Sequence, residues 1–266
     1  MNAPVQAASP VIEVRSAEKV FANGVRGLGR IKLRIEPGEF VTLIGPSGCG
    51  KSTLLKLIAN QIDPTSGTVL WWGGDFSAVG ATDRRLAFVF QDPTLMPWAK
   101  VDANVRLPLD FAGVGRAEAA ARVAAALDQV GLGEAARRYP RQLSGGMRMR
   151  ISIARALVTE PDLLLMDEPF GALDEFTRDK LDEDLARLSW QRGLTNVFVT
   201  HSIYEAVFLS TRIVIMAANP GRVFDEFVVD APCPRDEAFR NSDEFAAMCR
   251  SLSVLLADAS RASGAV

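Results

Sequence analysis

The segment Gly45-Pro46-Ser47-Gly48-Cys49-Gly50-Lys51-Ser52 has the form G-x-x-x-x-G-K-[ST], and no other stretch limits the fold so tightly. The run Glu39–Ile44 before it reads as a strand, and Lys51–Asn60 after it reads as a helix. Glycines let backbone N–H groups turn inward around phosphate oxygens with no Cβ in the way. The start of the helix adds the positive end of its dipole. Lys51 then places a charge on the β- and γ-phosphates of a nucleotide, and the Ser52 hydroxyl is a Mg²⁺ ligand. Residues Gly45 to Ser52, with Thr53 directly after them, form the expected cradle. Cys49 reads as a small side chain filling the loop. Such a strand–loop–helix belongs to an α/β sheet that gathers its site at the carboxyl ends of its strands.

The rest of the chain fits that frame. Val11–Arg15, Arg30–Ile35, Thr68–Trp72 and Leu86–Phe90 read as further strands, and close spacing across turns makes part of the sheet antiparallel. Asp162–Met166, Asn196–Thr200 and Thr211–Ala217 are continuous apolar runs of the kind buried parallel strands show. Helical patterns cover Arg116–Val130, Gly145–Val158, Thr177–Gln191 and Ile203–Leu209. The stretch from about Asp92 to Val158 contains no strand and reads as a helical insertion. After Pro234, apolar residues recur at helical spacing as a docked helix, and Ala257–Val266 is expected to fray.

Leu163-Leu164-Leu165-Met166-Asp167-Glu168 is an apolar strand ending in two acids. Asp167 at its tip suits Mg²⁺, directly or at one remove. Glu168 is then placed to take a proton from an attacking water. Lys+Arg number 30 against 32 Asp+Glu, so a net charge of −2 gives no field to hold nucleic acid. No apolar run approaches the ~20 residues a bilayer requires, and Met1–Pro10 lacks the features of a secretory signal. Three scattered cysteines and the single His201 exclude a disulfide framework and multi-histidine metal chemistry, and a soluble protein of the reducing cytosol is expected.

Leu143-Ser144-Gly145-Gly146-Met147 opens a well-patterned helix. Ser144, Gly145 and Gly146 offer a hydroxyl and unhindered N–H groups, a second helix start able to face a phosphate. With these motifs in this order, the chain from about Val11 to Val229 resembles the nucleotide-binding subunit of ABC transporters. The resemblance implies a P-loop NTPase core of RecA-like type with mixed sheet, an antiparallel β subdomain and a helical insertion. The expected division is an ATPase domain at 1–230, with its core at 1–90 and 158–230 and its insertion at 91–157, and a helical tail at 231–266.

The resemblance also implies roles. Phe21 stacks on adenine. Gln91 approaches Mg²⁺ and the attacking water. Asp174, closing Gly171-Ala172-Leu173-Asp174, faces a partner subunit, and His201 contacts the γ-phosphate. The catalytic set is then Glu168, His201, Gln91 and Lys51, with Ser52, Gln91 and Asp167 around the metal. Ser144 of one subunit closes over ATP held by the other, in a homodimer carrying two ATPs and two Mg²⁺. Expected partners are membrane permease subunits and, through them, an extracytoplasmic solute-binding protein, with the chain peripheral on the inner face of the cell membrane. Some of Leu95, Met96, Pro97, Trp98 and Val101 are expected to line a groove for a permease helix.

Met147, Gly171 and Asn60 depart from commoner Gln, Ser and Gly, without removing a phosphate or metal ligand. Ser144–Arg150, Phe90-Gln91-Asp92 with Leu95–Trp98, and Asn219-Pro220-Gly221-Arg222 are similar to the nitrate/sulfonate/taurine-type importer branch. Two other readings compete: a soluble ABC ATPase working without a permease in repair or translation, and a small-molecule P-loop kinase. Neither a long coiled-coil insertion nor a second cassette is present, and a kinase leaves Leu143–Met147 without a role.

Overall fold

The computed structural model describes residues 9–80, 84–171 and 173–264. The reading of Met1–Pro10 therefore lies mostly outside the described residues, as do Ala172 and the last two positions. In chain order the elements begin with β1 (Ile12–Val20), β2 (Arg26–Ile35), β3 (Phe40–Ile44), α1 (Lys51–Ile58), β4 (Ser66–Trp71) and β5 (Leu86–Val89). Three helices follow, α2 (Val101–Phe111), α3 (Arg116–Gln129) and α4 (Gly145–Leu157). The chain then alternates through β6 (Leu163–Asp167), α5 (Glu175–Arg192), β7 (Thr195–Val199), α6 (Ile203–Leu209), β8 (Arg212–Ala217) and β9 (Arg222–Val228). It closes with α7 (Glu237–Arg240) and α8 (Asp243–Ala262).

Six strands form the central sheet in the order β5-β6-β7-β3-β8-β9, parallel except for β9. A separate antiparallel sheet has the order β2-β1-β4. Of the first five strands, three thus pair antiparallel, while β3 and β5 join the parallel sheet. The two-residue period of the strands divides the core. Leu164, Met166, Phe198 and Ile215 pack with the helical insertion, α5, α6 and α8. Leu163, Leu165, Val197, Val199 and Val214 pack with the antiparallel sheet and α1. Each such side chain contributes about 1.5–3 kcal/mol by leaving water, so a slip of one residue in β6 would invert both layers.

Several local departures have physical causes. Helix α1 ends two residues before the expected Asn60, whose φ of +52° is the left-handed turn that glycine or asparagine accepts. Asn60 in place of glycine is therefore conformationally conservative. Helix α2 carries Pro108 inside it, removing one main-chain hydrogen bond, and was not separately delimited from sequence. Strand β9 was not expected; it is an edge strand with Asp225 and Glu226 at its centre.

The expected fraying of Ala257–Val266 is corrected: α8 runs to Ala262, Ala259 is fully buried, and Ser263 is held in place. The Ala218 amide donates to Ser263 Oγ at 2.7 Å, and Asn219 Nδ2 donates to the Ser263 carbonyl at 2.8 Å. Small side chains let this end approach closely, which composition alone read as looseness.

A candidate nucleotide site at the strand ends

Strand β3 delivers the glycine loop to α1. Gly50 stands immediately before the helix at φ +92°, and a Cβ there would lie 2.5 Å from Leu28 Cδ2 and 2.9 Å from the Gly27 carbonyl. Only glycine satisfies both the left-handed backbone and the close approach of β2. Lys51 is nine-tenths buried, and its ammonium donates to the carbonyls of Gly45 at 2.8 Å and Pro46 at 3.3 Å. The charge is thereby held at the mouth of the loop. Cys49 is fully buried with its sulfur packed beneath Gly45, and burial pushes its thiol up. It fills the loop from below, and the Lys51 ammonium donates to its sulfur at 3.9 Å.

Strand β6 runs parallel to β7, and β7 to β3, so the tips of all three lie together. Ser52 Oγ, in the first turn of α1, donates to Asp167 Oδ1 at 2.9 Å. Burial raises the Asp167 carboxyl, opposed chiefly by the Ser52 hydrogen bond, and the neighbouring Glu168 raises it further. A hydroxyl and a carboxylate at this separation are the hard-oxygen pair that Mg²⁺ takes when phosphate and water complete its shell.

One residue on, Glu168 adopts φ +45° and its amide donates to the Val199 carbonyl at 2.9 Å. That strained turn aims the carboxylate at the end of β7, where Glu168 Oε2 lies 3.4 Å from His201 Nδ1. Gly171 backs the pair: a Cβ there would sit 3.7 Å from His201 Cε1 and 3.9 Å from Glu168 Oε2.

The structure thus brings Lys51, Ser52, Asp167, Glu168 and His201 to one end of the sheet. Phe21 reaches the same place indirectly, its ring packed on Gly27, whose carbonyl abuts Gly50. The ring is 38% exposed, open enough to receive a planar partner. Gln91 lies exposed just past β5, at the start of the insertion.

Ser144 caps α4, accepting from the Met147 amide at 3.3 Å. Beside it, Gly146 meets Thr177 so closely that a Cβ would fall 2.7 Å from Thr177 Cγ2. Asp174 caps α5 by accepting from the Thr177 amide at 3.0 Å, which holds its carboxyl below the usual range. Within one chain, then, the Ser144 segment packs on the Asp174 turn.

Sequence reasoning missed three residues behind this site. Arg178 Nη2 donates to the Leu173 carbonyl at 2.8 Å, and its Nε lies 3.3 Å from Glu205 Oε1. Glu205 is buried and accepts from the Thr200 hydroxyl. The available signal was a lone acid in the otherwise apolar run of α6. Of the segment after Gln91, Val101 is buried in the core, Leu95 and Met96 are half-buried, and Trp98 is 76% exposed. Asn104, fully buried, fixes that segment through the amide and carbonyl of Met96 and the carbonyls of Ala99 and Lys100.

Comparison with known proteins agrees with this geometry. The ABC transporter family matches residues 28–171. The taurine import ATP-binding protein TauB of Rhizobium johnstonii is 47% identical over 211 residues, covering 79% of this chain and 79% of that protein. The aliphatic sulfonates import ATP-binding protein SsuB of Bacillus licheniformis is 42% identical over 229 residues, covering 84% of this chain and 87% of that protein. Among solved structures, the dimeric post-hydrolysis state of the ATP-binding cassette MJ0796 bound to ADP and Pi superposes with a TM-score of 0.73 at 33% identity. It covers 83% of this chain and 100% of that one. With the phosphate loop, the paired acids and the serine-capped helix all in place, the chain belongs to the ABC transporter family and is one of its ATP-binding ATPases.

Proposed function

We propose that this ATPase energises an importer of small solutes of the taurine and sulfonate class, working as a homodimer bound to permease subunits on the inner face of the membrane. The extracytoplasmic binding protein acts through the permease, and the solute touches no residue of this chain. The names of the relatives support the class of importer. Among the described residues no helix is long and apolar enough to cross a membrane.

The observation that carries the mechanism is the contiguity of Ser52, Asp167, Glu168 and His201. Backbone N–H groups of residues 45–50 and the start of α1 bind the phosphates, and Lys51 exchanges its carbonyl partners for β- and γ-oxygens. Ser52 and Asp167, with Gln91 beside them, would hold Mg²⁺, which would neutralise phosphate charge. Phe21 stacks on the base. Glu168 orients and deprotonates the attacking water, while His201 holds the γ-phosphate and steadies Glu168. Ser144, Gly145 and Gly146 of a second chain, with its Asp174, close the far side.

The test is phosphate release from ATP with Mg²⁺ by the purified chain. Lys51→Ala is expected to lower turnover about 100-fold or more, since a pre-placed charge on the developing anion is lost. Equal turnover in wild type and variant overturns the reading. Co-purification with a permease and identification of the ligand kept by its binding protein test the solute class.

A further inference from the structure

Asp174 and His201 belong to different turns, separated by the length of α5 and β7 in sequence. Yet one set of contacts joins them, buried at Thr200 and Glu205 and half-buried at Arg178. Arg178, one turn into α5, reaches back with Nη2 to the carbonyl of Leu173, the residue preceding Asp174. Its Nε lies 3.3 Å from Glu205 Oε1 in α6. The other Glu205 oxygen accepts from the Thr200 hydroxyl, and Thr200 Oγ1 accepts from the Ser202 amide at 3.0 Å. Thr200 and Ser202 flank His201. Glu205 itself is 3% exposed.

Retaining a carboxylate and a guanidinium there is costly, because replacing such a pair with apolar groups is often neutral or stabilising. Stability therefore gives little reason for an ion pair at this place. Geometry gives one: the guanidinium hydrogen-bonds a main-chain carbonyl through Nη2 while its charge stands 3.3 Å from the Glu205 carboxylate.

We propose that Arg178 and Glu205 are positioning residues for ATP hydrolysis, forming a brace that fixes the Asp174 turn relative to the His201 turn. Neither touches nucleotide. Arg178 sets the Leu173 carbonyl, and so the approach of Asp174 to the partner chain. Glu205 sets Thr200 and Ser202, and so the distance from His201 to Glu168. The brace makes one unit of the turn that faces the neighbour and the turn that faces the γ-phosphate.

The inference rests on the roles proposed for Glu168 and His201, and the experiment separates the two. Removing Arg178 alone leaves the Glu205 carboxylate buried without its cation, which threatens folding. The informative variant is the double Arg178→Met/Glu205→Gln, in which neither charge remains. It is expected to keep its melting midpoint and a KM for ATP within about two-fold of wild type, while kcat falls about 10- to 100-fold, as misplacement of a reacting group by an ångström costs. In a Glu168→Gln background, where the ATP-bound dimer accumulates, the double change should shift that dimer toward monomer. Wild-type kcat in a folded double variant overturns the brace and leaves the site reading intact. If Lys51→Ala, in an otherwise wild-type chain, leaves ATPase turnover unchanged, the site reading itself fails.

Discussion

Two aspartates, one half-buried and one fully buried, show how burial is used at single residues. Asp167 and Asp182 are both pushed above the usual carboxylate range, in each case first by desolvation. Asp167 has compensation: the Ser52 hydroxyl donates to it, and Lys51 and Lys56 lie near. Asp182, 1% exposed, has neither oxygen hydrogen-bonded. Glu205 and Asp179 oppose its ionisation, and Arg240 favours it from 3.6 Å while pairing with Asp179 at 2.8 Å. A carboxyl raised in the folded state binds more protons there than in the unfolded chain. Its contribution to stability is present below the unfolded value and is lost as pH rises through the folded one. Asp182→Asn removes that loss. The variant should show a smaller fall in melting midpoint between pH 5 and pH 8 than wild type, measured by thermal unfolding. An unchanged pH slope would show that Asp182 stays ionised in the fold.

At the scale of elements, helix starts carry both stability and function. Ser144 caps α4 and Ser242 caps α8 in the same way, each accepting from the amide three residues on. Replacing either with alanine should cost about 1 kcal/mol in urea unfolding. Only Ser144→Ala should lower turnover, because only that start faces phosphate in the proposed dimer. Equal turnover in both variants would leave α4 as a structural helix alone. Short-range chemistry made these elements legible: the glycine loop, the apolar β6 ending in Asp167-Glu168, and the serine-capped α4 each lie within a few consecutive residues. Elements whose reasons are distant were not legible. Strand β9 pairs only along its β8 edge and carries Asp225 and Glu226 in the middle, so no apolar run marks it. Helix α2 hides behind Pro108 and a buried Asn104 that serves the preceding loop. The end of α8 is fixed by Ala218 and Asn219, more than forty positions earlier. Arg178 and Glu205 meet only because α5 and α6 pack, while the Ser52–Asp167 contact was readable because each residue sits at a motif's end.

At the scale of the molecule, one chain holds half of each proposed site. Its glycine loop, Asp167, Glu168 and His201 cluster at the strand tips, while its Ser144 segment is committed to the Asp174 turn through Gly146 and Thr177. In the proposed dimer a second chain supplies the other serine-capped helix, and the γ-phosphate is what both helix starts would have in common. Each helix start contributes about 0.3–1 kcal/mol toward an anion, up to ~2 when partly buried. On this proposal a triphosphate gripped from two sides would join the chains, and loss of its terminal phosphate would release them. Glu168→Gln keeps the shape of the site and removes the base. With ATP and Mg²⁺ it should accumulate as a dimer, at twice the monomer mass by light scattering after size exclusion, while wild type returns to monomer as ADP forms. Ser144→Ala in the same background should shift the dimer toward monomer at equal ATP, because one of the two grips is weakened while the glycine loop still binds nucleotide. A Glu168→Gln chain that binds ATP yet stays monomeric would place the Ser144 helix outside the catalytic cycle, and the closing motion with it.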